Sequence, residues 1–265
     1  MPKSALEVKL SESLPVLLFI HGGGFVGGSQ IVKVAGREIY DPTNLVRASI
    51  GFGKPIVVVT INYRVGILGF AACKELQEFN AANKEPFSNY GLHDQRRALE
   101  WVGRYIREFG GDPNNVTIYG NSAGGASCHY QIFSKEKMFQ RAIISSGTLF
   151  GIGPLPLESQ QSKFESIAER LKYLPGNGSI VEFVQSKPVE ELLCAALPSN
   201  SGGAIHPTID HDWITGCTLD AMSSILNPPE IILGACAFEV SSHLLPQIKD
   251  LRVLSSQPSS KNLRT

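Results

Sequence analysis

A serine set between glycines, Gly120-Asn121-Ser122-Ala123-Gly124, is the part of this 265-residue sequence best suited to chemistry. A hydroxyl becomes a useful nucleophile when a turn holds it out and a neighbouring base takes its proton. The residues before it, Val116-Thr117-Ile118-Tyr119, read as a short buried strand, and the small residues after it suit a helix start. Strand, sharp turn and helix make the setting of a G-x-S-x-G nucleophile elbow, whose glycines leave room and whose serine takes a strained backbone conformation. Taken alone, the same residues also suit a Gly-rich loop between any strand and helix.

A second glycine cluster, His21-Gly22-Gly23-Gly24-Phe25, directly follows the apolar run Val16-Leu17-Leu18-Phe19-Ile20. Successive backbone N–H groups can converge on one small volume only where no side chain blocks it. With the N–H of Ala123 they would surround the oxyanion of a tetrahedral intermediate, one such donor contributing about 2.7–4 kcal/mol to the transition state. Gly27-Gly28 follow closely, so a plain flexible loop is the alternative for the cluster by itself.

The elements that must position these groups alternate. Val16–Ile20 and Ile56–Ile61 are near-continuous apolar runs, as in strands covered on both faces. A helix is expected from about Gly91 to Phe109, with Leu92, Leu99, Val102, Ile106 and Phe109 at helical spacing and Gly110-Gly111 as its stop. The strand before Ser122, the helix after it and a strand at Ala142–Ile144 complete an α/β doubly wound pattern. From Pro154 to Pro198 the pattern is helical: Phe164, Ile167, Ala168 and Leu171 share one face, and Val189, Leu192, Leu193 and Ala196 another. Glu230–Gly234 reads as a last strand, and residues 247–265 read as a disordered tail.

Composition narrows the function. Acidic and basic residues balance at 24 each, and no long basic run offers a nucleic-acid footprint, so no nucleic-acid partner is expected. No apolar segment is long enough to span a membrane, and Val16–Ile20 is too short for a signal-peptide core. A genuine start would imply a cytoplasmic protein, while an upstream start leaves secretion open. The five cysteines, Cys73, Cys128, Cys194, Cys217 and Cys236, match no metal spacing and read as buried free thiols, with a disulfide between two of them left open. No metal and no organic cofactor are expected.

Four blocks stand in order: His21-Gly22-Gly23-Gly24-Phe25, Asn62-Tyr63-Arg64-Val65-Gly66, Asn89-Tyr90-Gly91-Leu92-His93-Asp94-Gln95-Arg96 and Gly120-Asn121-Ser122-Ala123-Gly124-Gly125. Together they resemble the type-B carboxylesterases, which include the cholinesterases and several fungal lipases. The match is dense over residues 14 to about 150 and thins to about Ser242. The resemblance implies an α/β-hydrolase fold, a mostly parallel central sheet with helices on both faces, occupying residues 1–246. It implies hydrolysis of a small-molecule or lipid ester, with Ser122 as nucleophile and Gly23, Gly24 and Ala123 as oxyanion donors. Such hydrolases run Ser, acid, His in chain order. Leu233–Ser241 looks like the family's acid loop, which makes Glu239 the expected acid, although Val240 stands where the family has glycine. Asp210 and Asp212 compete, but Pro207-Thr208-Ile209-Asp210 resembles a structural block instead. Asn121 stands where the family commonly has glutamate; only an indirect effect is expected.

The base is the gap. Of the six histidines, His21, His93, His129, His206 and His211 precede Glu239, and only His243 follows it, by four residues. The family's histidine lies on a loop after a further strand, beyond Thr265, so His243 is a poor candidate and the chain is expected to lack its base. The resemblance also implies truncation at both ends, a sheet incomplete at both edges, and Val57–Ile61 as an edge. The family's arginine matching Arg64 pairs with a glutamate from an N-terminal block absent here, leaving Arg64 to find another partner or stay hydrated. A second reading is a non-catalytic interaction protein on the same fold; a third is a small self-contained lipase using His243. Phe25 and Trp213 either face the acyl group or, more commonly for such aromatics, pack in the core. Acyl preference and oligomeric state are not legible.

Overall fold

A computed structural model describes residues 13–134, 136–176, 178–197, 204–211, 213–214 and 228–236. The chain divides into two compact units, residues 1–234 and 235–265, and only Ala235 and Cys236 of the second are described. In chain order the first unit runs β1 (Leu14–Ile20), β2 (Lys33–Val34), β3 (Arg37–Glu38), α1 (Thr43–Gly51), β4 (Val57–Ile61), α2 (Gly66–Phe70), α3 (Lys74–Asn83) and α4 (Tyr90–Tyr105). It continues with β5 (Gly111–Asn121), α5 (Ala123–Ile132), β6 (Arg141–Ser145), α6 (Leu157–Arg170), α7 (Ile180–Gln185), α8 (Val189–Ala195) and β7 (Glu230–Gly234).

The five main strands form one parallel sheet in the order β4-β1-β5-β6-β7, and β2 and β3 form a separate small hairpin. This is the mostly parallel sheet flanked by helices that an α/β-hydrolase fold requires. Register explains the apolar runs. Leu18 pairs with Val59 on one side and Ile118 on the other, so one face of the sheet carries Val16, Leu18, Ile20, Val116, Ile118, Ala142 and Ile144, all buried. These residues share a core with Leu92, Leu99, Val102 and Ile106 of the α4 segment. On the opposite face Phe19 packs at 4.8 Å from the Tyr40 ring, while a cavity of about 280 Å³ remains between Leu17, Phe19, Tyr40, Leu45, Val58 and Tyr119.

Several elements depart from their expected bounds. The α4 helix ends at Tyr105 and tightens into a 3₁₀ turn over Ile106–Phe109, which Gly110 closes at φ 74°. Strand β5 begins at Gly111, well before Val116, because Gly111 already pairs with Leu14 across a register shift. In α6, Phe164, Ile167, Ala168 and the following Leu171 are buried as expected. In α8 the buried side instead holds Leu192 and Ala195, with Val189 and Leu193 exposed, since this seven-residue helix packs mainly on α2 and α6.

The β4 strand is an edge of the described sheet, and β7 is the other edge. In β7, Ile232 and Leu233 are each 65% exposed. The predicted disordered tail lies outside the described residues. No helix among the described residues is long and apolar enough to cross a membrane.

The stability of the unit should therefore depend on the central strand. Leu18→Ala in β1 should cost about 2–5 kcal/mol in urea unfolding, whereas Leu193→Ala should stay within about 0.5 kcal/mol of the parent.

Candidate active site

Ser122 joins β5 to α5 with φ 57° and ψ −126°, a conformation that non-glycine residues seldom hold. Its N–H donates to the Ser145 carbonyl at the end of β6 at 2.9 Å, and its own carbonyl accepts from Ala126 at 3.0 Å. The turn is enforced by close backbone approach. A Cβ on Gly120 would lie 2.1 Å from the Gly124 oxygen, one on Gly124 would lie 2.1 Å from the Ile20 oxygen, and one on Gly147 would lie 2.0 Å from the Ser122 oxygen. The serine hydroxyl makes no helix-cap bond, and it has no hydrogen-bond partner among the described residues.

The loop after β1 lies against this turn. A Cβ on Gly22 would stand 2.6 Å from the Asn121 oxygen and 3.1 Å from the Ser122 Cβ. Gly23 and Gly24 have φ of 119° and 63°, and the Gly23 carbonyl accepts from Val26 and Gly27 at 3.1 and 3.2 Å. Phe25 is fully buried with its ring near Phe70 and Tyr130, so it is a core residue that anchors the loop. Its carbonyl accepts from the Gly66 N–H at 2.6 Å. The structure thus brings Ser122, Ala123 and the Gly22–Gly24 loop together. Glu239, His243 and Asp212 lie outside the described residues, as does Cys217.

The described histidines are occupied elsewhere. His21 Nδ1 must donate to the Gly22 carbonyl at 2.9 Å, since a carbonyl only accepts, and its ring stacks on Tyr63 at 4.3 Å. Leu149 N–H donates to His129 Nδ1 at 3.5 Å, and Phe133 and Phe150 flank that ring. Burial lowers His21, His93 and His206, and it takes His129 down to about 4. His93 meets Trp213 edge-on at 5.2 Å, and the indole N–H of Trp213 donates to the Tyr130 carbonyl, which places Trp213 in the packing of the 204–214 segment.

Other expected roles resolve into scaffolding. Asp210 accepts from the Trp213 and Ile214 amides at 3.0 and 2.7 Å and from Asn89 Nδ2 at 2.9 Å, so it closes its own turn and ties it to the start of α4. Arg64 finds its other partner in Asp94: Nε and Nη2 bind both carboxylate oxygens at 2.8 and 2.7 Å, and its backbone N–H adds a third bond. Burial pushes the Asp94 carboxyl up, and Arg64 more than offsets this, leaving it below its ordinary value. The Asn121 amide reaches Ser145 at the end of β6. Cys73 and Cys128 are buried, but Cys194 and Cys236 lie at the surface. Behind the elbow lies an unexpected buried polar group, Gln95, Ser127 and Gln131, together with the buried Tyr63. Its one signal was the set of polar residues facing inward on otherwise apolar helix faces.

These contacts set two responses of the fold, one to substitution and one to acid. Gly124→Ala should lower unfolding stability by on the order of 3 kcal/mol, because the Ile20–His21 backbone at the end of β1 must move, whereas Gly27→Ala, with open space around it, should change little. The second concerns acid. The folded state holds His129 at about 4 against an ordinary value of 6.5, so the unfolded chain takes up its proton first. Its contribution is intact above pH 6.5 and is lost as pH falls to about 4, with no further loss below. Urea unfolding across that window should show a shallower decline for His129→Gln than for the parent.

Comparison with known proteins agrees with this architecture. The profile of the Carboxylesterase family matches residues 1–263. The chain is 36% identical over 193 residues to Esterase B1 of Culex pipiens, covering 71% of this chain and 32% of that protein. It is 40% identical over 162 residues to Lipase 2 of Geotrichum candidum, covering 58% and 26% respectively. Against Esterase E4 of Myzus persicae it is 35% identical over 201 residues, covering 72% and 31%. The chain thus spans a third or less of the length of these relatives. A parallel sheet flanked by helices, a strained serine between its central strands and a family match along nearly the whole sequence agree: this chain belongs to the carboxylesterase family.

Proposed function

We propose that this chain is the nucleophile-bearing part of a carboxylic-ester hydrolase acting through Ser122. The observation that carries the reading is the serine at φ 57° with the side-chain-free Gly22–Gly24 loop pressed against it. In this mechanism Ser122 Oγ attacks the ester carbonyl carbon while a histidine takes the hydroxyl proton. The N–H groups of Gly23, Gly24 and Ala123 receive the developing oxyanion. Collapse breaks the carbonyl–alkoxy bond, the alcohol leaves with the proton from the histidine, and water releases the acyl group by the same steps in reverse. Glu239 orients the imidazole. Relatives that are named esterases and lipases support a small-molecule or lipid ester as substrate.

The histidine is the part this chain does not bring to Ser122 among its described residues. The chain by itself should therefore turn over p-nitrophenyl esters very slowly, since loss of that base in another serine hydrolase cost about 10⁶ in kcat. The same observation favours a second reading, an interaction protein on this fold. A fluorophosphonate probe separates them when imidazole in solution stands in for the base. Ester hydrolysis expects labelling on Ser122, accelerated by imidazole and abolished by Ser122→Ala. Wild-type protein that takes no label with imidazole present sinks the esterase reading in favour of the interaction protein. Robust turnover that His243→Ala abolishes would place the base on His243.

A further inference from the structure

We infer that Tyr63 is a positioning residue that sets the Gly22–Gly24 amides against Ser122, a role that rests on the esterase reading above. The segment that carries Tyr63 grips the glycine loop at both ends. The Tyr63 hydroxyl donates to the His21 carbonyl at 2.9 Å, just before the glycines, and the Gly66 N–H donates to the Phe25 carbonyl at 2.6 Å, just after them. The His21 carbonyl is also where the loop meets the elbow helix, since a Cβ on Gly124 would stand 2.9 Å from it. One phenolic hydrogen bond therefore holds the peptide that leads into the glycines at the point of contact with α5.

The phenol is itself held. Tyr63 is buried, and its ring stacks on His21. Burial raises its ionisation above the ordinary value, with the Ser127 hydroxyl acting in the opposite direction, so it stays a neutral donor. Ser127 donates to the Ala123 carbonyl at 2.8 Å and accepts from Gln95 Nε2 at 3.0 Å. Gln131 Nε2 donates to Gln95 Oε1 and to the Leu92 carbonyl at 3.2 and 3.0 Å. Gln95, Ser127 and Gln131 are all buried. Apolar residues would fill this space at lower desolvation cost, but they would not hold orientation; a satisfied polar network does. Two hydroxyls thus fall on the carbonyls that flank the two sources of oxyanion donors: Tyr63 on His21, and Ser127, held by the glutamines, on Ala123.

Tyr63→Phe removes one oxygen and keeps the ring stack, so it tests the hydrogen bond. Amide hydrogen exchange at Gly22–Gly24 should rise about tenfold, the worth of one such bond, through a local opening that urea does not affect, and the unfolding midpoint should fall by no more than that one bond accounts for. With imidazole present, the maximal rate of Ser122 phosphonylation should fall about tenfold with the reversible binding constant of the probe unchanged. Unchanged exchange at the glycines overturns the inference. So does glycine exchange that proceeds only by global unfolding with a midpoint lowered by well more than one bond, or a variant that fails to fold, because each means that Tyr63 supports the whole fold and not the loop. Wild-type protein that takes no label removes the esterase reading, and the exchange measurement still decides whether Tyr63 holds the loop.

Discussion

Where α5 starts, backbone touches backbone with no side chain between. Gly124 lies against the Ile20 carbonyl of β1, Gly147 against the Ser122 carbonyl, and Gly120 against the first turn of the helix it precedes. This contact dictates most of what surrounds it. It fixes the helix over the ends of β1, β5 and β6, and it leaves the serine no relaxed conformation to adopt. A residue at φ 57° persists because its neighbours over-determine it, and here those neighbours are the end of β6, the loops after β1 and β6, and the first turn of α5. The strain costs on the order of 1–3 kcal/mol, which the buried strand face must outweigh.

A second requirement follows from the first. Glycine loops packed this closely contribute no side-chain contacts of their own, so their orientation must come from residues around them. Phe25 anchors one end through ring packing with Phe70 and Tyr130, and His21 the other through its stack on Tyr63. Both aromatic contacts are dry, which explains the lowered ionisation of His21. Burial of His21 and His129 thus reflects scaffolding: each ring is held at a fixed orientation by a backbone carbonyl or amide and by aromatic faces.

The strands and the elbow were legible in the sequence because their signals are local. Continuous Val and Ile runs marked β1 and β4, and glycine spacing around Ser122 marked a turn with no room for side chains. The pairing of Arg64 with Asp94 was hidden although both residues stood in recognised blocks, because it depends on how the start of α4 meets the segment after β4. The inward face of α8 was misread for a similar reason: in a helix of seven residues, the neighbours and not the periodicity select the buried side. Tyr63 and Ser127 carried no separate signal, since a hydroxyl aimed at a carbonyl many residues away leaves no local pattern.

The position of the candidate site within the sheet separates two properties that might be expected to stand or fall together. Ser122, the Gly22–Gly24 loop and their supports gather at the carboxyl ends of β1, β5 and β6, the three inner strands, as ligand sites do in open parallel sheets. The edges are β4 and β7, and the second carries Ile232 and Leu233 largely exposed. Unpaired apolar edges govern association and solubility. The direct contacts of the serine turn lie inward of them: Ser122 bonds to β6, and its glycines meet β1 and the loop after β6, which Ser146 in turn ties to Gly234 of β7. The turn at Ser122 thus rests on the inner strands, while the edge strand β4 reaches the site through Tyr63 and Gly66, which hold the glycine loop beside it.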